Sequence, residues 1–159
     1  MLITLRNVEP EDDAFLFQVY ASTRAAEMAL VPWTDEQRAT FLRMQFDSQT
    51  DYYRKQFPTA DYKVILARGE TVGRLYVLRE ESANRILDIA LLNEHRRRGI
   101  GSSLIRKLLN EAQQANKALR IYVESFNPAL SLFEELGFEQ IAEDGINSLL
   151  EWKAAEVSS

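Results

Sequence analysis

Arg96-Arg97-Arg98-Gly99-Ile100-Gly101 places three guanidinium groups and two glycines directly before a run with helical apolar spacing. A helix start leaves free backbone amides and carries the positive end of the helix dipole. Glycines clear the approach path, so those amides can reach phosphate oxygens directly. Arginines add charge and a fork geometry suited to phosphate. The chemistry this spacing offers is a socket for a small anion. A P-loop, G-x-x-x-x-G-K-[ST], is absent. A dinucleotide fingerprint, G-x-G-x-x-G, fails because Leu104 fills its third position, and the strand order is wrong for a βαβ unit beginning here. Taken alone, the loop reads equally as an anion site or as a solvated arginine run before a helix.

A second group of residues could handle protons. Asp88 interrupts the otherwise apolar run from Arg85 to Leu92, where an unpaired buried carboxylate would be costly. By period-two alternation it shares a face with Ile86, Ala90 and Leu92. It reads either as a general base or as a structural partner for Arg74 or another arginine. Glu124 shares a strand face with Tyr122; it either orients an acceptor amine or forms an ion pair. The chain has no cysteine, which excludes disulfides, thiolate metal sites and a cysteine nucleophile. His95 is its one histidine, and no G-x-S-x-G elbow accompanies it. No metal site is expected. The available chemistry is that of carboxylates, hydroxyls, backbone amides and a cofactor's own reactivity.

These residues must be held by elements that the periodicity predicts. Residues 2–6 alternate as a short strand. Pro10 followed by Glu11, Asp12 and Asp13 suits a helix start, continued by Phe15, Leu16, Val19 and Tyr20. Thr34-Asp35-Glu36-Gln37 is a capping box for a second helix, with Leu42, Phe46, Tyr53 and Phe57 near one stripe. Tyr62–Ala67, the turn Arg68-Gly69-Glu70 and Thr71–Leu78 form a hairpin, and Arg85–Leu92 reads as a third strand covered on both faces. Gly99–Ala115 carries a broad apolar helical face. Leu119–Val123 is a strand, Pro128–Leu136 a helix, and Phe138–Ala142 with Ile146–Trp152 a closing hairpin. The order β-α-α-β-β-β-α-β-α-β-β describes a mixed α/β (α+β) fold with a central, partly antiparallel sheet flanked by helices.

The 159 residues suit one domain over 1–153, with a loose tail from Ala154 to Ser159. Formal charge is 19 − 24 = −5, which disfavours nucleic acid as a partner and makes the arginine run a local feature. No apolar run approaches the roughly 20 residues of a membrane span, and the first residues lack a signal-peptide layout. A cytoplasmic location is the default expectation.

The chain resembles the GNAT superfamily of acyl-CoA-dependent N-acetyltransferases. Arg96 to Gly101 satisfies that family's pyrophosphate motif, [Q/R]-x-x-G-x-[G/A], and Asn127-Pro128-Ala129 followed by Leu132-Phe133-Glu134-Glu135-Leu136-Gly137-Phe138 is similar to a second signature. The element order from residue 2 to about 152 is similar as well. The resemblance implies that amides around Arg97, Arg98, Gly99, Gly101 and Ser102 hold the pyrophosphate of acetyl-CoA beside Arg96. It implies that Leu91 and Leu92 pair with pantetheine and that Asn127 contacts the cofactor arm. It further implies that neighbouring parallel strands splay apart between cofactor and acceptor, and that the protein forms a homodimer.

Amine acylation needs a neutral amine, support for an oxyanion and protonation of the departing thiolate. The tyrosine that serves many family members as general acid is Phe133 here. Either Tyr122 or Ser131 substitutes for it, or water suffices, or the protein binds acyl-CoA without turnover as a sensing module. The acceptor, a small-molecule or peptide amine, would be bounded by the first two helices and their connection, where Trp33, Tyr52 and Tyr53 lie. Trp33 either lines that pocket or plugs the core. The acidic balance favours a cationic acceptor.

Overall fold

The computed structural model describes residues 2–125, 127 and 129–155. Seven strands and four α-helices follow one another as β1 (Ile3–Asn7), α1 (Asp13–Ala29), α2 (Asp35–Gln56), β2 (Asp61–Ala67), β3 (Glu70–Arg79), β4 (Ala83–Leu91), α3 (Ile100–Ala115), β5 (Ala118–Glu124), α4 (Leu130–Glu135), β6 (Glu139–Glu143) and β7 (Asn147–Trp152). Short 3-10 turns at Pro10–Asp12 and Asn93–His95 precede α1 and follow β4. Hydrogen bonds join the strands in the order β1-β2-β3-β4-β5-β7-β6. β4 and β5 run parallel, whereas β1–β2, β5–β7 and β6–β7 are antiparallel. The element order read from the sequence is therefore the observed one. Pro128 and residues 156–159 of the expected tail lie outside the described residues.

The chain divides into two compact units, Met1–Leu75 with Ile89–Arg96, and Tyr76–Asp88 with Arg97–Ser159, so β3 and β4 each contribute to both. In the first unit, local chemistry fixes each helix start. Asp12 accepts two hydrogen bonds from the Arg6 guanidinium, at 2.7 and 2.8 Å, and a third from the Glu9 amide at 2.8 Å. This clamp ties β1 to the entrance of α1 and holds the Asp12 carboxyl below the usual carboxylate range, chiefly through the Arg6 hydrogen bonds. The Thr34 hydroxyl accepts the Gln37 amide and the Gln37 side chain accepts the Thr34 amide, the reciprocal capping box expected from the sequence. Leu16, Tyr20, Leu42, Phe46 and Val64 are buried together. Arg43 lies 5.3 Å above the rings of Phe17 and Phe46 and pairs with Asp13 at 2.8 Å.

In the second unit, Ile100, Leu104, Ile105, Leu108 and Ala112 of α3 are buried. So are Leu119, Ile121 and Val123, alternating with the exposed Arg120, Tyr122 and Glu124 along β5. Each fully buried aliphatic side chain contributes roughly 1.5–3 kcal/mol. Asn116, in the left-handed region, ends α3, and the Lys117 amide returns to the Ala112 carbonyl at 2.9 Å.

The expectation that Arg85–Leu92 is covered on both faces needs correction. Ile86 and Leu92 are buried, but Leu87 to Leu91 are only half-buried. The reason lies in the pairing. The β4–β5 register runs from Ala83↔Ala118 to Ile86↔Ile121, yet β4 continues to Leu91 and β5 to Glu124. Between two hydrogen bonds that join them, the β4 side also spans one residue more than β3. The Glu80 amide bonds the Ala83 carbonyl, and the Leu92 amide bonds the Val72 carbonyl. Eight steps along β3 thus match nine along β4, which is the count of a β-bulge.

Candidate active site

The segment from β4 to α3 is shaped by its backbone. The 3-10 turn Asn93–His95 is closed by the His95 amide on the Leu92 carbonyl at 2.9 Å. Arg97 takes φ 63°, a left-handed conformation uncommon for a residue with a Cβ. Gly99, at φ 79° and ψ 5°, is the N-cap of α3 and supplies no side-chain cap. Its carbonyl accepts the Ser103 amide at 3.0 Å, so the helix is under way immediately behind it. The amides of Ile100, Gly101 and Ser102 therefore emerge at a helix start whose N-cap offers no acceptor. The space where a Gly99 Cβ would stand is open. Arg97, Arg98 and Gly99 are exposed, and Gly101 and Ser102 half-buried. An anionic group meets backbone donors, the helix dipole and guanidinium charge here, so these residues fit a pyrophosphate.

Arg96 is placed differently from its neighbours. Its Nε donates to the Leu91 carbonyl at 3.0 Å and its guanidinium reaches the Asn93 side chain at 3.4 Å. It braces the turn between β4 and the loop. Leu91 and Leu92 differ as well. The Leu92 amide is committed to β3 through Val72, and its carbonyl to His95. Strand alternation turns the Leu91 backbone toward the opposite edge of β4.

The three residues expected to handle protons lie near the point where β4 and β5 part. Asp88 stands on β4 two residues beyond the last paired residue, Ile86, and is half-buried. Tyr122 is the first residue of β5 beyond its last β4 partner, and Glu124 follows on the same exposed face, opposite to that of Asp88. The Arg85 guanidinium covers the Tyr122 ring at 4.7 Å from its centroid, a cation–π contact. No sequence pattern marks Arg85, because its partner is distant along the chain. Farther down the same face, Arg120 pairs with the buried Glu151 at 2.6 Å.

Asn127 opens the next element. Its side-chain oxygen accepts the Ala129 amide at 2.9 Å and its carbonyl accepts the Leu130 amide at 3.1 Å, so it shapes the start of α4. Ser131 is exposed on α4. Phe133 is 3% exposed and packs edge-on against Phe138 at 5.3 Å, so the position of the usual tyrosine belongs to the core here. Within the first unit, Tyr20, Phe41, Met44, Gln45 and Ser48 line a cleft of about 330 Å³. Trp33 stands edge-on to Phe41 at 5.2 Å and is 38% exposed, so it is not a core plug. Tyr52 is exposed and Tyr53 half-buried. Among the described residues, no three His, Cys, Asp or Glu side chains are grouped to hold a metal, and no helix is long and apolar enough to cross a membrane.

Residues 30–152 match the family model of the acetyltransferase (GNAT) domain. An N-alpha-acetyltransferase of Sulfurisphaera tokodaii is 32% identical over 59 residues, a match spanning 35% of each chain, so the chain aligns with about a third of that relative's length. The PaiA N-acetyltransferase of Thermoplasma acidophilum, solved in complex with coenzyme A, superposes with a TM-score of 0.71 at 19% identity, covering 96% of this chain and 99% of that one. An acetyltransferase of Thermus thermophilus gives 0.68 at 19% identity, covering 96% and 97%. At such identities the structural likeness concerns the fold.

Proposed function

Because the chain belongs to the GNAT acetyltransferase family, we propose that it transfers an acetyl group directly from acetyl-CoA to a primary amine of a small molecule or peptide. The observation that carries this reading is the start of α3. Gly99 lies in a left-handed conformation with open space before it and offers no cap to the amides behind it. Bound acetyl-CoA supplies the acetyl group as a thioester. The amides from Arg97 to Ser102, with the Arg97 and Arg98 charges, hold its pyrophosphate. The Leu91 backbone, directed away from β3, pairs with the pantetheine amides, while Arg96 secures that turn and Asn127 sets the chain leaving β5.

Beyond the last β4–β5 pair, Asp88 takes the proton of the acceptor amine. Tyr122, held beneath Arg85, returns a proton to the departing thiolate from the opposite face of the sheet, which it shares with Glu124.

The buried Phe133 favours one other reading, an acyl-CoA-binding module without turnover. Thiol release from acetyl-CoA, followed over a panel of primary amines, separates the two. Amine-dependent release is the expected result. Binding of acetyl-CoA without release on every amine would establish the non-catalytic module instead.

A further inference from the structure

A glycine stands inside β3 between the buried Val72 and Arg74. Glycine in a strand interior forfeits side-chain packing and costs backbone entropy. Its backbone is not in the left-handed region, so conformation does not demand it. The demand is steric. A Cβ at Gly73 would overlap the Ala90 carbonyl oxygen and would lie 2.9 Å from Leu91 Cδ2 and 3.1 Å from Leu91 Cα. Two of these three atoms are backbone, so no rotamer change relieves the clash. Two β4 residues thus face one β3 residue, and the hydrogen-bond count along the hairpin requires an extra residue in β4. Bulges redirect the backbone that follows them. Here the residues involved are Leu91, whose carbonyl receives Arg96 Nε at 3.0 Å, and Leu92, whose amide returns to Val72 at 2.9 Å.

We propose that Gly73 is a positioning residue for the cofactor. Its missing side chain lets the Ala90–Leu91 bulge sit tightly on β3, and this aims the Leu91 backbone at pantetheine. The inference rests on the cofactor reading above. A methyl group at residue 73 must push the end of β4 away from β3. Through the Arg96–Leu91 hydrogen bond, the displacement continues to the first residue of the anion loop.

The test is calorimetric titration of coenzyme A into the wild type, Gly73→Ala and Val72→Ala, with KM for acetyl-CoA measured alongside. Val72 is fully buried; its truncation loosens the same strand while leaving the backbone contacts of β4 in place. Gly73→Ala is expected to weaken coenzyme A by about tenfold or more, as loss of a backbone hydrogen bond or two would, with a matching rise in KM. Val72→Ala is expected to lose melting temperature while binding within about twofold of wild type. Equal affinity in Gly73→Ala and wild type would overturn the inference and leave the cofactor reading intact, whereas absence of binding to the wild type would remove both. If Gly73→Ala does not fold, amide NMR of the wild type decides. The Gly73 and Leu92 resonances are expected to shift on adding coenzyme A while those of Gly69 and Gly145 stay; an unmoved Gly73 overturns the proposal.

Discussion

Gly99 and Gly69 form a matched pair, with φ of +79° and +80° and open space where each Cβ would stand. Replacing either by alanine brings no clash, only the cost of holding a Cβ-bearing residue in the left-handed region, roughly 1 kcal/mol. For a chain of this size that lowers the melting temperature by about 2–4 °C in both variants. Their ligand binding should differ. Gly69 sits in the β2–β3 turn, whereas Gly99 sets the direction of the first α3 amides. A loop that relaxes toward negative φ at residue 99 turns those amides off the phosphate. Each charge-assisted hydrogen bond lost costs about 1.5–3 kcal/mol, or roughly 10- to 150-fold in Kd. Calorimetric titration of coenzyme A into both variants, with thermal melts on the same samples, reads the two effects separately. Similar melting shifts with a loss of affinity confined to Gly99→Ala are expected. Unchanged affinity in Gly99→Ala, or an equal loss in Gly69→Ala, would refute the assignment of the pyrophosphate to this loop.

Phe133→Tyr places a hydroxyl where the ring is 3% exposed and packed on Phe138; it should cost about 1–3 kcal/mol in denaturant melts without raising kcat, and a faster enzyme would show that this ring reaches the thioester. Asp88→Asn should lower kcat about 100-fold or more with an unchanged melting temperature, and Tyr122→Phe should lower kcat while leaving KM for acetyl-CoA unchanged. A loss of stability in Asp88→Asn with kcat retained would make Asp88 structural. Arg6 hydrogen bonds hold the Asp12 carboxyl below its ordinary pKa, so the stability it contributes is complete above the unfolded carboxyl value near 4 and is lost as pH falls through the lower folded value. Asp12→Asn should therefore cost about 1–2 kcal/mol at neutral pH and reduce the acid sensitivity of urea melts below pH 4; an unaltered acid profile would contradict the clamp.

Features read correctly from the sequence were mostly local. Thr34 and Gln37 lie within one helical turn, so their capping box was legible as a pattern. The α3 stripe and the alternation in β5 were legible because burial follows a period. The start of α3 was legible because Gly99 directly precedes that stripe. What the sequence could not show depends on partners far along the chain. The apolar run ending at Leu92 looked doubly covered because nothing in it records that β5 stops pairing with β4 after Ile121. Arg85 gave no hint of Tyr122, and Gly73 gave none of Ala90. Phe133 was legible as a departure from the family signature, but its burial against Phe138 depends on how α4 packs.

The most direct measurement of the central claim is a crystal structure of the protein with acetyl-CoA. The pyrophosphate is expected on the amides from Arg97 to Ser102, the pantetheine along Leu91, and the thioester near the parting of β4 and β5 with Asp88 and Tyr122 nearby. A cofactor bound elsewhere, or crystals that bind none at saturating acetyl-CoA, would contradict it.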